Sequence, residues 1–232
     1  MGEEGLVTNK AAPEEGTLTE KAAQLLQREI LQGVLEPGAR LAVIDLSERY
    51  GIGATPIREA LSRLTSQNLV AAVGRRGFHV RGMNYEDLHD ITRVRFLVEQ
   101  EALRLSMRQG GDEWEGELVA SLHRLQLYVE RAGSNFGAGG EQFDQLHHQF
   151  HARLIGGSGS PRLTELARDL YNQAYRYRRS NMRRLIDAED FMQMHRVLAH
   201  AALSRDETRA LELLHEHLNS TLANVYPDRE RP

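Results

Sequence analysis

Ten histidines and no cysteine occur in this 232-residue chain, so side chains can bind a metal only through imidazole or carboxylate. His147 and His151 stand four residues apart in a stretch of helical periodicity, which puts both rings on one face within reach of one point. His195 and His217 lie in two later segments of the same kind. In a folded helical bundle, ligands from facing helices converge in the core, and four imidazoles suit a borderline divalent ion such as Zn or Ni. Spacing alone does not separate such a site from a chance pairing among ten histidines. Asp144, one turn before His147, is a candidate to orient that ring by a hydrogen bond.

Two arginines could take a carboxylate. Arg95 lies close to Ile91, Val94 and Val98, which mark the buried side of their helix, so its guanidinium points partly inward and requires a partner. That partner is either Glu99, four residues on, or the carboxylate of a small effector held in bidentate fashion. Arg178, in Tyr175-Arg176-Tyr177-Arg178, is a second effector-binding candidate, although the same stretch suits a solvated face or a dimer surface. A His-bound ion could also activate water for hydrolysis. No carboxylate stands at general-base spacing and no Gly-x-Ser-x-Gly occurs, so the chain is not expected to be an enzyme.

The elements that must position these groups follow from periodicity. From Asn84 to about 226, six amphipathic stretches are expected at 84–109, 114–131, 139–156, 160–184, 187–204 and 206–225, an all-α antiparallel bundle. Residues 17–82 differ. They predict a helix over 18–32, a short helix over 44–50, the turn Gly51-Ile52-Gly53, and a third helix reaching Gln67 with Thr55 as its cap and Pro56 in its first turn. Two short strands, 69–73 and 78–81, flank Gly74-Arg75-Arg76-Gly77 as a hairpin wing. The fold expected is mainly α, a winged helix-turn-helix followed by the bundle, with mobile tails at 1–16 and 227–232. Net charge divides accordingly: −3 over 1–16, +3 over 17–82 and −4 beyond, which sums to the formal −4 of the chain. Only the segment with a DNA-reading pattern is positive, the asymmetry that phosphate attraction requires. Arg58 and Arg63, outward on the third helix, and Arg75, Arg76 and Gly77 at the wing tip are its candidate DNA contacts. No apolar run approaches a membrane span and no secretory leader is visible, so a cytoplasmic protein is expected.

Over residues 17–226 the sequence resembles the GntR superfamily of bacterial regulators, in the branch with an all-helical FCD ligand-binding domain. The resemblance is carried by Gly38, Leu41, Leu46, Thr55-Pro56-Ile57-Arg58-Glu59-Ala60-Leu61, Leu64, Leu69-Val70 and Arg76-Gly77-Phe78-x-Val80, then by Arg95-x3-Glu99, Phe150-His151, His195, Asp206, Ala210 and His217-Leu218. It implies DNA contacts from Thr55, Arg58, Arg76 and Gly77. It also implies a metal held by His151, His195 and His217 together with an Asp or Asn at position 147, where this chain has His147. His147 either completes a four-imidazole site or leaves three ligands plus water. Family members commonly carry Ser-Arg before the Thr-Pro; Gly53-Ala54 here removes a base-reading guanidinium, so the operator should differ from the usual one. A narrower similarity, to a glutarate-responsive repressor of this branch, rests on Arg108 to Glu115, His147 to His151 and Tyr175 to Arg178. The resemblance thus implies a homodimeric repressor that binds a double-stranded operator and is released by a small organic acid; a regulator that senses the metal itself is the alternative.

Overall fold

The computed structural model describes residues 16–133, 136, 141–181 and 187–227, apart from the side chains of Arg75, Ser180 and Asn181. All but Gly16 and Pro227 of the two expected tails, and most of the connection at 133–140, lie outside the described residues.

The chain starts its first element with a capping box. Thr17 Oγ1 accepts from the Glu20 N–H and the Glu20 carboxylate accepts from the Thr17 N–H, which opens α1 (Leu18–Leu31). Ala22, Leu26 and Ile30 form its buried stripe. Helix α2 (Val43–Tyr50) ends at Gly51, whose φ of 64° is the left-handed turn that glycine permits, and α3 (Ala54–Ser66) follows three residues later. Thr55 is not the cap of α3: Ala54 is already helical, so the cap falls on Gly53, which has no side chain to accept from the first turn. Ile57, Ala60, Leu61 and Leu64 of α3 pack against α1. The wing strands β2 (Val70–Ala72) and β3 (Phe78–Val80) pair antiparallel around a 3-10 turn at Gly74–Arg76. A strand that periodicity could not flag, β1 (Arg40–Leu41), is two residues long and covers the other edge of β3, with Arg40 opposite His79.

After a four-residue passage the bundle begins. Helix α4 (Tyr85–Gln109) is capped by Asn84, and α5 (Asp112–Ala132), α6 (Glu141–Leu154), α7 (Pro161–Asn181), α8 (Ala188–Leu203) and α9 (Glu207–Val225) complete it. Their ends fall within three residues of those expected. Asp187 and Asp206 cap α8 and α9 through their carboxylates. The core runs through Leu103, Leu118, Leu125, Phe150, Leu154, Leu198 and Leu214. Trp114 closes one end: its indole N–H donates to the Arg153 carbonyl at 2.9 Å, and its ring lies against the backbones of Gly110 and Gly157.

A methyl at Gly157 would sit 2.8 Å from Trp114 Cγ and 3.2 Å from Gly110 Cα, with backbone on one side and a buried ring on the other. The substitution G157A is expected to destabilise the chain by about 1–3 kcal/mol through overpacking. Urea unfolding followed by tryptophan fluorescence measures this directly, since the chain has a single tryptophan.

Candidate functional site

Three helices bring the four histidines together. Helix α6 supplies His147 and His151 from one face, α8 supplies His195 and α9 supplies His217. His147 Nε2 lies 3.0 Å from His195 Nε2 and 3.1 Å from His151 Nε2, and His151 Nε2 lies 3.0 Å from His217 Nε2. One ligand atom from each of the four lies within 4.8 Å of the others, and all four residues are buried. Apolar and aromatic side chains surround them: Phe143, Phe150 and Phe191 pack on the rings.

Burial keeps these imidazoles neutral. It is the main reason that the pKa values of His147, His151 and His217 fall well below the usual value. The Arg178 charge adds to the effect at His147, and a neighbouring histidine does so at His151 and His217. His195 is pushed down to about 4 by burial, opposed by its bond to the Phe191 carbonyl. At His195 and His217 the outer nitrogen faces an acceptor, the Phe191 carbonyl and the Met194 sulfur, so the single N–H of each neutral ring points outward and lone pairs converge on the cluster. A cation among them relieves that repulsion. Metal–nitrogen bonds of about 2.0–2.1 Å put adjacent ligand nitrogens about 2.9–3.4 Å apart, the spacing of the three pairs in direct contact within a set that spans 4.8 Å. The donor set therefore fits a divalent ion of the Zn or Ni type.

Beside the cluster a cavity of about 440 Å³ opens between α4, α6 and α7, lined among others by Glu99, His148, His151, Thr164, Arg168 and Tyr171. His151 belongs to both cavity and cluster. Both sequence readings of Arg95 meet here. Its Nε donates to Glu99, and the two side chains are only 4% and 3% exposed. Yet Arg95 Nη2 and Glu99 Oε2, both buried, have no hydrogen-bond partner. Glu99 lines the cavity, so the pair with its unused donor and acceptor stands at the cavity wall on the Glu99 side.

Arg178 joins the cluster directly. Its Nη1 lies 2.8 Å from His147 Nδ1 and its Nη2 donates to the Tyr171 hydroxyl at 2.8 Å. Tyr171, which sequence reasoning missed, stands between both arginines, each guanidinium 5.0 Å from its ring centre. Its signal was the spacing Tyr171, Tyr175, Arg178, one face of one helix. Asp144 does not orient His147; it accepts from Tyr175 and pairs with Arg179 at 3.6 Å, because Arg178 occupies the back of the His147 ring instead.

The DNA-reading candidates are placed on the opposite domain. Thr55, Arg58, Arg76 and Gly77 are exposed, and the Arg75 side chain lies outside the described residues. Arg63 is exposed too; five positions beyond Arg58, it sits about 140° around the helix. Just past the end of α3, the Gln67 carbonyl accepts from Gln173 of α7.

A winged helix-turn-helix joined to a helical bundle with a buried ligand cluster defines a DNA-binding transcription regulator rather than an enzyme. Residues 18–80 match the family of bacterial regulatory proteins called gntR, and residues 90–220 match the FCD domain. The chain belongs to the GntR family, with an FCD domain as its C-terminal part. It is 38% identical to the HTH-type transcriptional regulator BphR of Paraburkholderia xenovorans over 90% of this chain and 85% of that one. With the HTH-type transcriptional repressor GlaR of Escherichia coli it shares 34% identity over 83% of this chain and 89% of the other. Among solved structures, Escherichia coli McbR/YncC superposes with a TM-score of 0.75 at 26% identity, covering 91% of this chain and 98% of that one. GntR regulators bind DNA, FCD domains bind small-molecule effectors, and no helix among the described residues is long and apolar enough to cross a membrane.

Stability should depend on pH through the cluster. Unfolded, each imidazole takes a proton near 6.5; folded, His195 resists until about 4 and the others are also depressed. Between those values the unfolded chain binds more protons, so stability is fully present above 6.5 and is lost as pH falls toward 4. Urea midpoints should therefore be lower at pH 5 than at pH 7.5, and H195Q should flatten the difference; equal wild-type midpoints would contradict the neutral cluster.

Proposed function

We propose that this protein is a homodimeric repressor whose FCD bundle holds a divalent metal at the histidine cluster and releases operator DNA when a small carboxylate enters the adjoining cavity. A glutarate-like dicarboxylate is the effector class favoured. The observation that carries the reading is the juxtaposition of four converging imidazoles with a cavity lined by His151 and by Glu99, whose partner Arg95 keeps a buried N–H without a hydrogen bond. His151, His195 and His217 would hold the ion, which supplies a positive centre for the effector's oxygen. Arg95 would bind the carboxylate, and Arg178 would add a second positive charge nearby. The repressor sign is supported by the relative that bears that name. Thr55, Arg58, Arg76 and Gly77, with Arg75 beside them, would contact the operator.

Helix α7 supplies the route between sites. One face carries Tyr171, Tyr175 and Arg178 against the cluster. The opposite face carries Gln173, whose amide donates to the Gln67 carbonyl at the end of α3, and Arg176, which donates to the Arg81 carbonyl just past the wing. Tyr177 on that face donates to Asp87 at 2.6 Å and accepts from the Asn84 N–H. A shift of α7 caused by occupancy on the first face must move the supports of the DNA-binding domain on the second. Effector and DNA would then favour different settings of one helix, with reciprocal coupling.

Titrating glutarate and a chelator separately into a fluorescence-anisotropy assay of operator binding tests this reading. Glutarate should release DNA saturably, and R95Q should weaken that response at least tenfold with operator affinity in the absence of glutarate unchanged. Full release by chelator alone, with no effect of any carboxylate, would make the ion the signal. The lever makes a separate forecast: R176M should reduce the glutarate-driven loss of DNA affinity by about 0.5–2 kcal/mol of coupling, read from operator titrations with and without saturating glutarate, while direct glutarate binding stays close to wild type.

A further inference from the structure

The four histidines are not equivalent, because their outer nitrogens fix which inner nitrogens carry a proton. His195 Nδ1 lies 2.6 Å from the Phe191 carbonyl, which can only accept, so the N–H is on Nδ1 and Nε2 presents a lone pair to the cluster. His217 Nδ1 lies 3.0 Å from the Met194 sulfur, also an acceptor, with the same result. His147 is the reverse. Its Nδ1 faces Arg178 Nη1 at 2.8 Å, with the Tyr171 hydroxyl at 3.3 Å. A guanidinium has donors only and keeps its proton, so Nδ1 must accept and the single N–H of neutral His147 stands on Nε2. That atom is the one aimed at His195 and His151.

Arg178 is held in this role from several sides. Its Nη2 donates to the Tyr171 hydroxyl, and its guanidinium lies 5.0 Å and 5.5 Å from the ring centres of Tyr171 and Tyr175. For His147 to ligate a metal through Nε2, the ring would have to become anionic or give up both donors at Nδ1. His151 needs no such change, since its Nδ1 has no fixed partner and can carry the proton. With His151 Nε2 accepting from His147, it faces the His217 Nε2 lone pair at 3.0 Å, a contact that a cation between them relieves.

We infer that His147 is not the fourth ligand: His151, His195 and His217 would bind the ion, and His147, locked as a donor by Arg178, would present its Nε2–H to an oxygen of a carboxylate bound beside them. This rests on the reading of the cluster as a metal site. It turns the position into a filter for oxyanions, because a donor set beside a divalent ion accepts an oxygen lone pair and rejects an N–H or a second cation. The Arg178 charge reaches the effector through the imidazole without touching it.

The test uses the full chain loaded with zinc alone. X-ray absorption at the zinc edge should count three imidazoles in wild type and three in H147Q, whose amide keeps a donor near the same place. R178L removes the obligatory donor, so His147 can turn its proton to Nδ1 and ligate; the count should rise to four and zinc affinity on the order of tenfold. Independently of any variant, nitrogen-15 histidine spectra of the metal-free chain should find His147 protonated at Nε2 and His195 at Nδ1. Four imidazoles in wild type falling to three in H147Q, or His147 protonated at Nδ1, overturns this assignment and leaves the metal site standing. Failure of wild type to bind stoichiometric zinc overturns both.

Discussion

Facing lone pairs in a dry interior are the constraint around which the bundle is arranged. Burial keeps the imidazoles neutral, and neutral nitrogens 3.0 Å apart repel unless a proton or a cation stands between them. Three helices must be held at a fixed mutual distance for that contact to form. The capped starts of α8 and α9, the leucine and phenylalanine core beneath them and the Trp114 plug at one end supply the rigidity. A metal in such a place is a rivet through α6, α8 and α9, so ligand chemistry and bundle geometry cannot vary independently.

Helix α7 contributes no histidine to the cluster, yet it links the cluster to everything else. Six of its polar residues divide by face, Tyr171, Tyr175 and Arg178 inward to the cluster and Gln173, Arg176 and Tyr177 toward the wing and the domain passage. The second set grips backbone carbonyls and an N–H in addition to the Asp87 carboxylate, so the junction is tied largely to main-chain positions. With only four residues between β3 and α4, there is little slack to absorb a displacement.

Periodic features were legible in the sequence. The amphipathic stripes located every helix of the bundle to within a few residues, and the His147–His151 spacing pointed at a cluster that the fold completes with His195 and His217. Features that depend on which neighbour arrives were not. Asp144 is well placed along the chain to serve His147, but Tyr175 and Arg179 from α7 claim it. Strand β1 is too short to have a period at all, and it exists because β3 offers it an edge. Gly110 and Gly157 fall in connections between the expected helices; only the fold reveals that the Trp114 ring needs their missing methyls.

Helix α3 begins on Gly53, which gives the first turn no side-chain acceptor, whereas α1 is closed by the Thr17–Glu20 pair. An open helix start carries unsatisfied N–H groups and the positive end of the helix dipole, a natural seat for phosphate. In a helix-turn-helix regulator that end approaches the duplex. A phosphate brought to that end would supply the acceptor that Gly53 lacks, so the one position where α3 goes uncapped is also the one where an anion gains most from the helix.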